Sequence, residues 1–307
     1  MAWPHRPVLY HEVLAALRPH AGGRYVDATL GAGGHAHGIL EMSAPDGMLL
    51  GLDVDPQALA IARERLRPFG ERAILRKASY TTLLAQLQDL GWEAVDGIVL
   101  DLGVSSMQLD TPERGFSFRE DAPLDMRFDP EQAITAADLV NTLDEASLAD
   151  ILWRYGEERR SRRVARAIVR NRPIETTRQL AEVVASATTS GKRGMHPATR
   201  TFQALRIAVN QELANLEAVL PQAIEALAPG GRLAVIAFHS LEDRIVKHFL
   251  RRVSGYCTCP PEMPHCECDA EALVKLVKPF PMRPTDEEIR ANPRARSARL
   301  RVVEKMA

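Results

Sequence analysis

Short apolar runs alternate with amphipathic stretches from the start of the chain to Asp101. The β-prone segment Arg24-Tyr25-Val26 ends at Asp27, and Gly47 to Leu52 ends at Asp53. Ala73 to Leu75 forms a third run, and Val95 to Leu100 a fourth, ending at Asp101. Between them lie helical patterns. Ala36 to Met42 follows the first run, and Pro56 to Leu66 follows the second, with Asp55 placed to cap it and a stripe of Ala58, Leu59, Ala62 and Leu66. Tyr10 to Leu17 reads as a leading helix that stops before Pro19. Repeated strand-then-helix units predict a parallel, doubly wound α/β sheet. Ligands of such sheets sit at the carboxyl ends of the strands. Asp27, Asp53 and Asp101 all fall there, so the three acids are expected to share one crevice.

After Asp101 the rhythm breaks. Loop-like segments carry Arg114-Gly115-Phe116-Ser117-Phe118 and Pro123-Leu124-Asp125-Met126-Arg127. Helical periodicity then runs from Thr135 to about Ala187, and again from Thr199 to Leu227, where Pro221 predicts a break. Pro229-Gly230-Gly231 stops that helix, and Arg232 to Phe238 is a fifth strand, apolar after Arg232 and expected to be buried on both faces. His239 ends it at the crevice rim. Ser240 is expected to cap the next helix, answered by Asp243. Leu273 to Val277 and Ala298 to Val303 are the last candidate strands. The predicted organisation is a core built from residues 1–106 and 207–307, interrupted by an all-helical insertion at 107–206.

Charge sharpens the insertion. The 307-residue chain is nearly neutral, at −1, and 46% hydrophobic, enough for a substantial core. From Trp153 to Arg206, however, 13 basic residues face 4 acids, a local +9. Some belong to i,i+4 pairs on a solvated face, but such pairing leaves the imbalance unexplained. A phosphate backbone would explain it. Arg159, Arg160, Arg162, Arg163, Arg166, Arg200 and the loop cations Lys192 and Arg193 are the candidate RNA contacts. No apolar run reaches the length of a membrane span, and the N-terminal residues lack the apolar core of a signal peptide. A cytoplasmic protein is expected.

The candidate chemistry centres on Asp27-Ala28-Thr29-Leu30-Gly31-Ala32-Gly33-Gly34-His35. Strand, glycine turn and helix allow a backbone to approach a ligand closely. The turn fits a dinucleotide site as well as an S-adenosylmethionine site. Asp53 suits a ribose in either ligand. Asp27 favours the methyl donor, because a carboxylate there repels a pyrophosphate and tolerates a sulfonium or an ammonium. Tyr80, at the end of the third strand unit, could stack on an adenine or fill the core. His239 could touch substrate or serve the fold. Cys257, Cys259, Cys266 and Cys268 fall within twelve residues and could hold a structural zinc ion, or be free or redox-paired thiols.

Several motifs together resemble the bacterial 16S ribosomal RNA cytosine-N4 methyltransferases. They are His5-Arg6-Pro7-Val8-Leu9, Asp27 to His35, Asp101-Leu102-Gly103-Val104-Ser105-Ser106, Arg114 to Phe118, Pro123 to Arg127, Tyr155-Gly156-Glu157-Glu158-Arg159, His196 to Ile207 and Phe238 to Arg244. The resemblance covers nearly the whole chain. It implies a class I methyltransferase sheet with an inserted helical substrate domain. It also implies methyl transfer from S-adenosylmethionine to N4 of a cytosine in the decoding region of the small subunit, and it admits a homodimer. Carried over by motif, Gly33, Gly34, His35, Asp53, Tyr80, Asp101 and Gln108 would bind the donor. Asp101 and His239 are the candidates nearest the chemistry, and a nearby carboxylate or carbonyl, with Ser105 or His239, is expected to accept the N4 proton. The cysteine segment is not part of the common pattern. The rivals are an NAD-dependent oxidoreductase using the same glycine turn, and a non-catalytic RNA-binding assembly factor using the basic insertion.

Overall fold

A computed structural model describes residues 7–188, 196–257 and 271–307. The chain divides into two compact units, one made of residues 1–103 and 213–307, the other of residues 104–212.

The first unit begins with α1 (Tyr10–Leu17), β1 (Arg24–Asp27), α2 (Gly34–Met42), β2 (Met48–Asp53), α3 (Pro56–Leu66), β3 (Ala73–Lys77), α4 (Leu83–Asp89) and β4 (Val95–Asp101). The second unit holds α5 (Ser106–Asp110), α6 (Ala136–Thr142), α7 (Glu145–Gly156), α8 (Ser161–Arg170), α9 (Thr177–Ala187) and α10 (Thr199–Asn210). The chain continues with α11 (Glu212–Ala226), β5 (Leu227–Ala237), α12 (Ser240–Val253), β6 (Val274–Met282), α13 (Asp286–Ala291) and β7 (Arg299–Lys305).

Seven strands form one sheet in the order β3-β2-β1-β4-β5-β7-β6. β1 to β5 are parallel, as the strand–helix rhythm predicts. β7 departs from that expectation. It slots between β5 and β6, antiparallel to both. The short α13 and a following turn join β6 to β7, and the chain returns along the sheet in the opposite direction. This is the class I methyltransferase arrangement.

Each strand feeds two cores because side chains alternate across a sheet. Val26, Leu50, Leu52, Ile98 and Leu100 pack with α4, α11 and α12 through Leu83, Leu220 and Val246. Tyr25, Leu49, Val99 and Ile236 pack on the other side with α1, α2 and α3 through Val13, Ile39 and Leu59. Both faces of the middle strands being covered, β1, β2, β4 and β5 read as largely apolar runs. Each fully buried leucine contributes roughly 1.5–3 kcal/mol.

The second unit is helical, with its own core of Val140, Leu148, Leu152, Val164, Ile168, Leu180, Val184 and Leu205. Its caps are local. Asp144 accepts the N–H groups of Ala146 and Ser147 at the start of α7, and Thr176 with Gln179 closes a capping box on α9. The break expected at Pro221 falls elsewhere. α10 ends at Asn210, Gln211 turns left-handed at φ 51°, and α11 runs through Pro221. A left-handed residue interrupts the helical ladder, whereas proline removes one donor from it. Among the described residues no helix is long and apolar enough to cross a membrane.

Candidate active site

Backbone bonds from both neighbouring strands hold the glycine turn at the carboxyl end of β1. Ala28 N–H donates to the Val99 carbonyl at 3.0 Å, and Leu30 N–H to the Leu52 carbonyl at 2.9 Å. Thr29 Oγ1 accepts the Asp101 N–H at 2.6 Å, tying the turn to the end of β4. Gly31 N–H donates to Asp53 Oδ2 at 2.7 Å, tying it to the end of β2. Gly33 sits at φ 72° as the residue preceding α2, and no side chain caps that helix. A residue with a Cβ would be strained there. The first-turn N–H groups of α2 thus open beside the strand ends.

Three carboxylates meet at this turn. Asp27 is only 1% exposed, and burial pushes its carboxyl up to about 7. His35 opposes that rise, while the charges of Asp101 and Asp53 add to it. Asp53 is raised to about 6, again by burial, against the pull of the Asp55 and Gly31 N–H groups. His35 is buried, with Nε2 3.6 Å from Asp101 Oδ2. Among the described residues, both ring nitrogens of His35 and Oδ1 of Asp101 are buried without a hydrogen-bond partner. Buried polar atoms are normally satisfied. These unpartnered atoms, from the first turn of α2 and the end of β4, leave hydrogen-bonding capacity that a polar ligand could take.

The MraW methylase family model matches residues 2–306 of the sequence. The chain belongs to the MraW methylase family. A "Ribosomal RNA small subunit methyltransferase H" from Geotalea uraniireducens is 54% identical over 307 residues, covering 98% of each chain. Proteins of the same name from Geobacter sulfurreducens and Dehalococcoides mccartyi are 53% and 52% identical. The first alignment covers 100% of both chains, the second 99% of this chain and 87% of its relative. Among solved structures, an rRNA methylase from Streptococcus thermophilus aligns over 100% of both chains at 12% identity, with a TM-score of 0.44.

Within this MraW methylase, the other candidate residues take varied positions. Gly34 opens α2 one residue after Gly33. Tyr80 begins a 3-10 turn after β3 and packs, half-buried, against the sheet core. Gln108 lies in the second unit. Its Oε1 accepts the Ser105 N–H at 3.0 Å, and its own N–H donates to Ser105 Oγ at 3.2 Å, so both side chains form a capping box on α5.

The expected cap of α12 is corrected. His239, not Ser240, precedes the helix, and its Nδ1 accepts the Glu242 N–H at 3.4 Å. Glu242 Oε2 answers by accepting the N–H groups of Phe238 at 2.9 Å and His239 at 3.3 Å. An imidazole nitrogen can accept as a hydroxyl does, which hid this role behind the more familiar serine. Asp243 is engaged elsewhere, by Arg299 at 2.6 Å and Arg301 at 2.8 Å. Burial would raise its carboxyl, yet the two guanidinium bonds hold it below the usual range. Arg299 and Arg301 stand two apart on β7 and so share a face, which lets both reach the one carboxylate.

Sorting the arginines of the second unit divides them in two. Arg172 and Arg206 serve the fold. Arg172 donates to the Val140 and Leu143 carbonyls, and Arg206 grips Glu212 with two bonds at 2.8 and 2.9 Å. Arg200 is half-buried, 3.8 Å from Glu158. Arg166 is exposed and 3.2 Å from Glu145. Arg160 is also exposed. Arg159, Arg162, Arg163 and Arg170 are exposed, and no ion pair is recorded for them among the described residues. α8 buries Val164, Ala165 and Ile168 and turns Arg162, Arg163, Arg166 and Arg170 outward. Cys257 is exposed. Lys192, Arg193, Cys259, Cys266 and Cys268 lie outside the described residues.

Proposed function

We propose that this chain transfers the methyl group of S-adenosylmethionine to N4 of a cytosine in the decoding region of 16S ribosomal RNA. Family membership supports a methylase, and the relatives' names support ribosomal RNA of the small subunit. The observation that carries the donor reading is the cluster of buried Asp27 and His35 with half-buried Asp101 beside the glycine turn. Its carboxylates suit a cationic ligand and oppose a pyrophosphate, which disfavours the NAD-dependent rival. Asp53 keeps lone pairs beyond the two N–H groups it accepts, and these can take ribose hydroxyls.

Bound donor supplies an electrophilic methyl on a positively charged sulfur. Cytosine N4 is a weak nucleophile because its lone pair is delocalised into the ring. The protein's share of the work is alignment and charge. Alignment can supply several kcal/mol. Asp101 projects from the end of β4 with Oδ1 unpartnered, ready to stabilise the positive charge that grows on N4 as the new N–C bond forms and the C–S bond breaks. One N4 proton then leaves to a nearby acceptor. His239 is less suited to that task, because Nδ1, the accepting nitrogen of its ring, already takes the Glu242 N–H in the cap of α12. Exposed arginines of α8 would hold the RNA backbone while the target base is unstacked. Zinc at the cysteines rests on their spacing alone and forms no part of this reading.

The test is transfer of labelled methyl from S-adenosylmethionine to assembled small subunits that lack the modification, with mass mapping of the product nucleoside. N4-methylcytosine in 16S RNA is the expected product. RNA binding without transfer would favour the assembly factor, and NAD binding in place of S-adenosylmethionine would favour the oxidoreductase.

A further inference from the structure

α12 starts at the carboxyl end of β5 and runs for 14 residues, about 21 Å at 1.5 Å per residue. Beside α11 it borders a groove of about 650 Å³. Leu220, Pro221, Ile245 and Phe249 give the groove an apolar lining with one aromatic ring. Arg244, His248 and Arg252 rise along one wall and are all exposed. They are spaced i, i+4, i+8, so one basic side chain recurs about every 6 Å along the helix. Arg252 Cζ lies 5.5 Å from the centre of the Phe249 ring. Glu217, on α11, is the acidic residue of the lining. From Arg244 to Arg252 the sequence carries four formal positive charges (Arg244, Lys247, Arg251 and Arg252) and no acid, in a chain whose total is −1.

We propose that this groove binds a single-stranded segment of the substrate RNA, with phosphates along Arg244 and Arg252 and a base against Phe249. The inference rests on the RNA-methylase reading and places part of the RNA grip on the sheet-bearing unit, apart from the basic helices of the other unit. A cation repeated once per turn beside an aromatic floor matches a polymer that offers one phosphate and one planar ring per repeat. The cations supply affinity without reading sequence. A segment next to an unstacked target base is single-stranded and so available for such contacts.

The experiment compares the full chain with its Arg244→Gln/Arg252→Gln variant. Affinity for a short cytosine-containing oligoribonucleotide is measured across a salt series, alongside S-adenosylmethionine affinity and methyl transfer to small subunits. Two lost phosphate contacts should make the slope of log K against log salt shallower by about 1.4 and weaken binding about 25-fold at 0.1 M salt. S-adenosylmethionine affinity should not move. An unchanged slope overturns the proposal. As a second measure needing no substitution, ultraviolet cross-linking of the native chain to small subunits should yield a nucleotide on the peptide bearing Phe249. A cross-link from that peptide to a ribosomal protein, or to nothing, also overturns it. If the native chain methylates no ribosomal RNA, the underlying reading fails, and transfer reports that separately from the salt slope and the cross-link.

Discussion

Replacing Asp27 with asparagine tests the electrostatic core of the donor site. Its carboxyl moves from an ordinary 3.8 to about 7 because it is buried. A shift of roughly three units corresponds to about 4 kcal/mol at 1.36 kcal/mol per unit. The sign follows from linkage. Below pH 4 the group is protonated in both folded and unfolded chains and costs nothing. As pH rises from 4 to 7 the unfolded chain releases the proton while the folded chain retains it, so folding stability falls. Above pH 7 the loss is complete and constant. Asp27→Asn removes this liability. The variant should match the native chain near pH 4 and exceed it by up to about 4 kcal/mol at pH 8, read by urea unfolding at each pH.

Donor affinity should move the other way. A cationic ligand favours the ionised carboxylate, so binding expels the proton that Asp27 holds near neutral pH. Affinity of the native chain for S-adenosylmethionine should rise with pH between 5.5 and 7.5, approaching tenfold per unit where one whole proton is released. Calorimetry in two buffers of different ionisation enthalpy would count that proton. Asp27→Asn should bind more weakly at pH 7.5 and lose most of the pH dependence. Should the variant keep the native pH profile, or show a stability difference that does not grow with pH, Asp27 is not the buried charge described here.

The remaining predictions address other parts of the chain. Asp101→Asn should weaken donor binding and, at saturating donor, also lower turnover by about 100-fold or more, if its charge stabilises N4 in the transition state; single-turnover transfer at saturating donor separates the two. Arg301→Met leaves the buried Asp243 with Arg299 alone and should cost about 3–5 kcal/mol, seen by thermal or urea unfolding at pH 7. Reversing Arg159, Arg162 and Arg163 to glutamate should flatten the salt slope of RNA binding by at least about 2. That variant should leave donor affinity intact.

The middle of the sheet was legible because β1, β2, β4 and β5 are buried on both faces. Such strands read as unbroken apolar runs, and each of β1, β2 and β4 ends in an aspartate that no core would hold without a reason. What escaped reading from sequence depends on contacts distant along the chain. Nothing local says that β7 turns back between β5 and β6, since pairing direction is set by how connections cross the sheet. Nothing local says that Asp243 reaches Arg299 and Arg301, 56 and 58 positions away. Pro221 misled for the opposite reason. It is a strong local signal, but the helix passes through it, and the break falls at Gln211, a residue of no special turn propensity. Excess positive charge was visible in the sequence. Its division into fold-holding Arg172 and Arg206 and outward-facing Arg162 and Arg163 needed the structure.

Near-neutral total charge conceals two opposing demands. A sulfonium donor calls for carboxylates, and Asp27, Asp53 and Asp101 at adjacent strand ends would supply them. That same negative field repels a phosphate backbone. A methylase acting on RNA must therefore draw its substrate with cations carried outside the acidic crevice. They must also be arranged so that mainly the target base, the least charged part of each nucleotide, enters. Scattered lysines would hold RNA without orienting it. Guanidinium rows on one helix face would fix a direction along the backbone, and Arg162, Arg166 and Arg170 on α8 and Arg244 and Arg252 on α12 are spaced to form such rows. On this logic, neutralising α8 should raise KM for small subunits far more than it lowers kcat, because the arginines deliver a base whose chemistry is then governed by the acids. A fall in kcat with KM unchanged would instead mean that these cations act in the transition state, and the separation of labour argued here would be wrong.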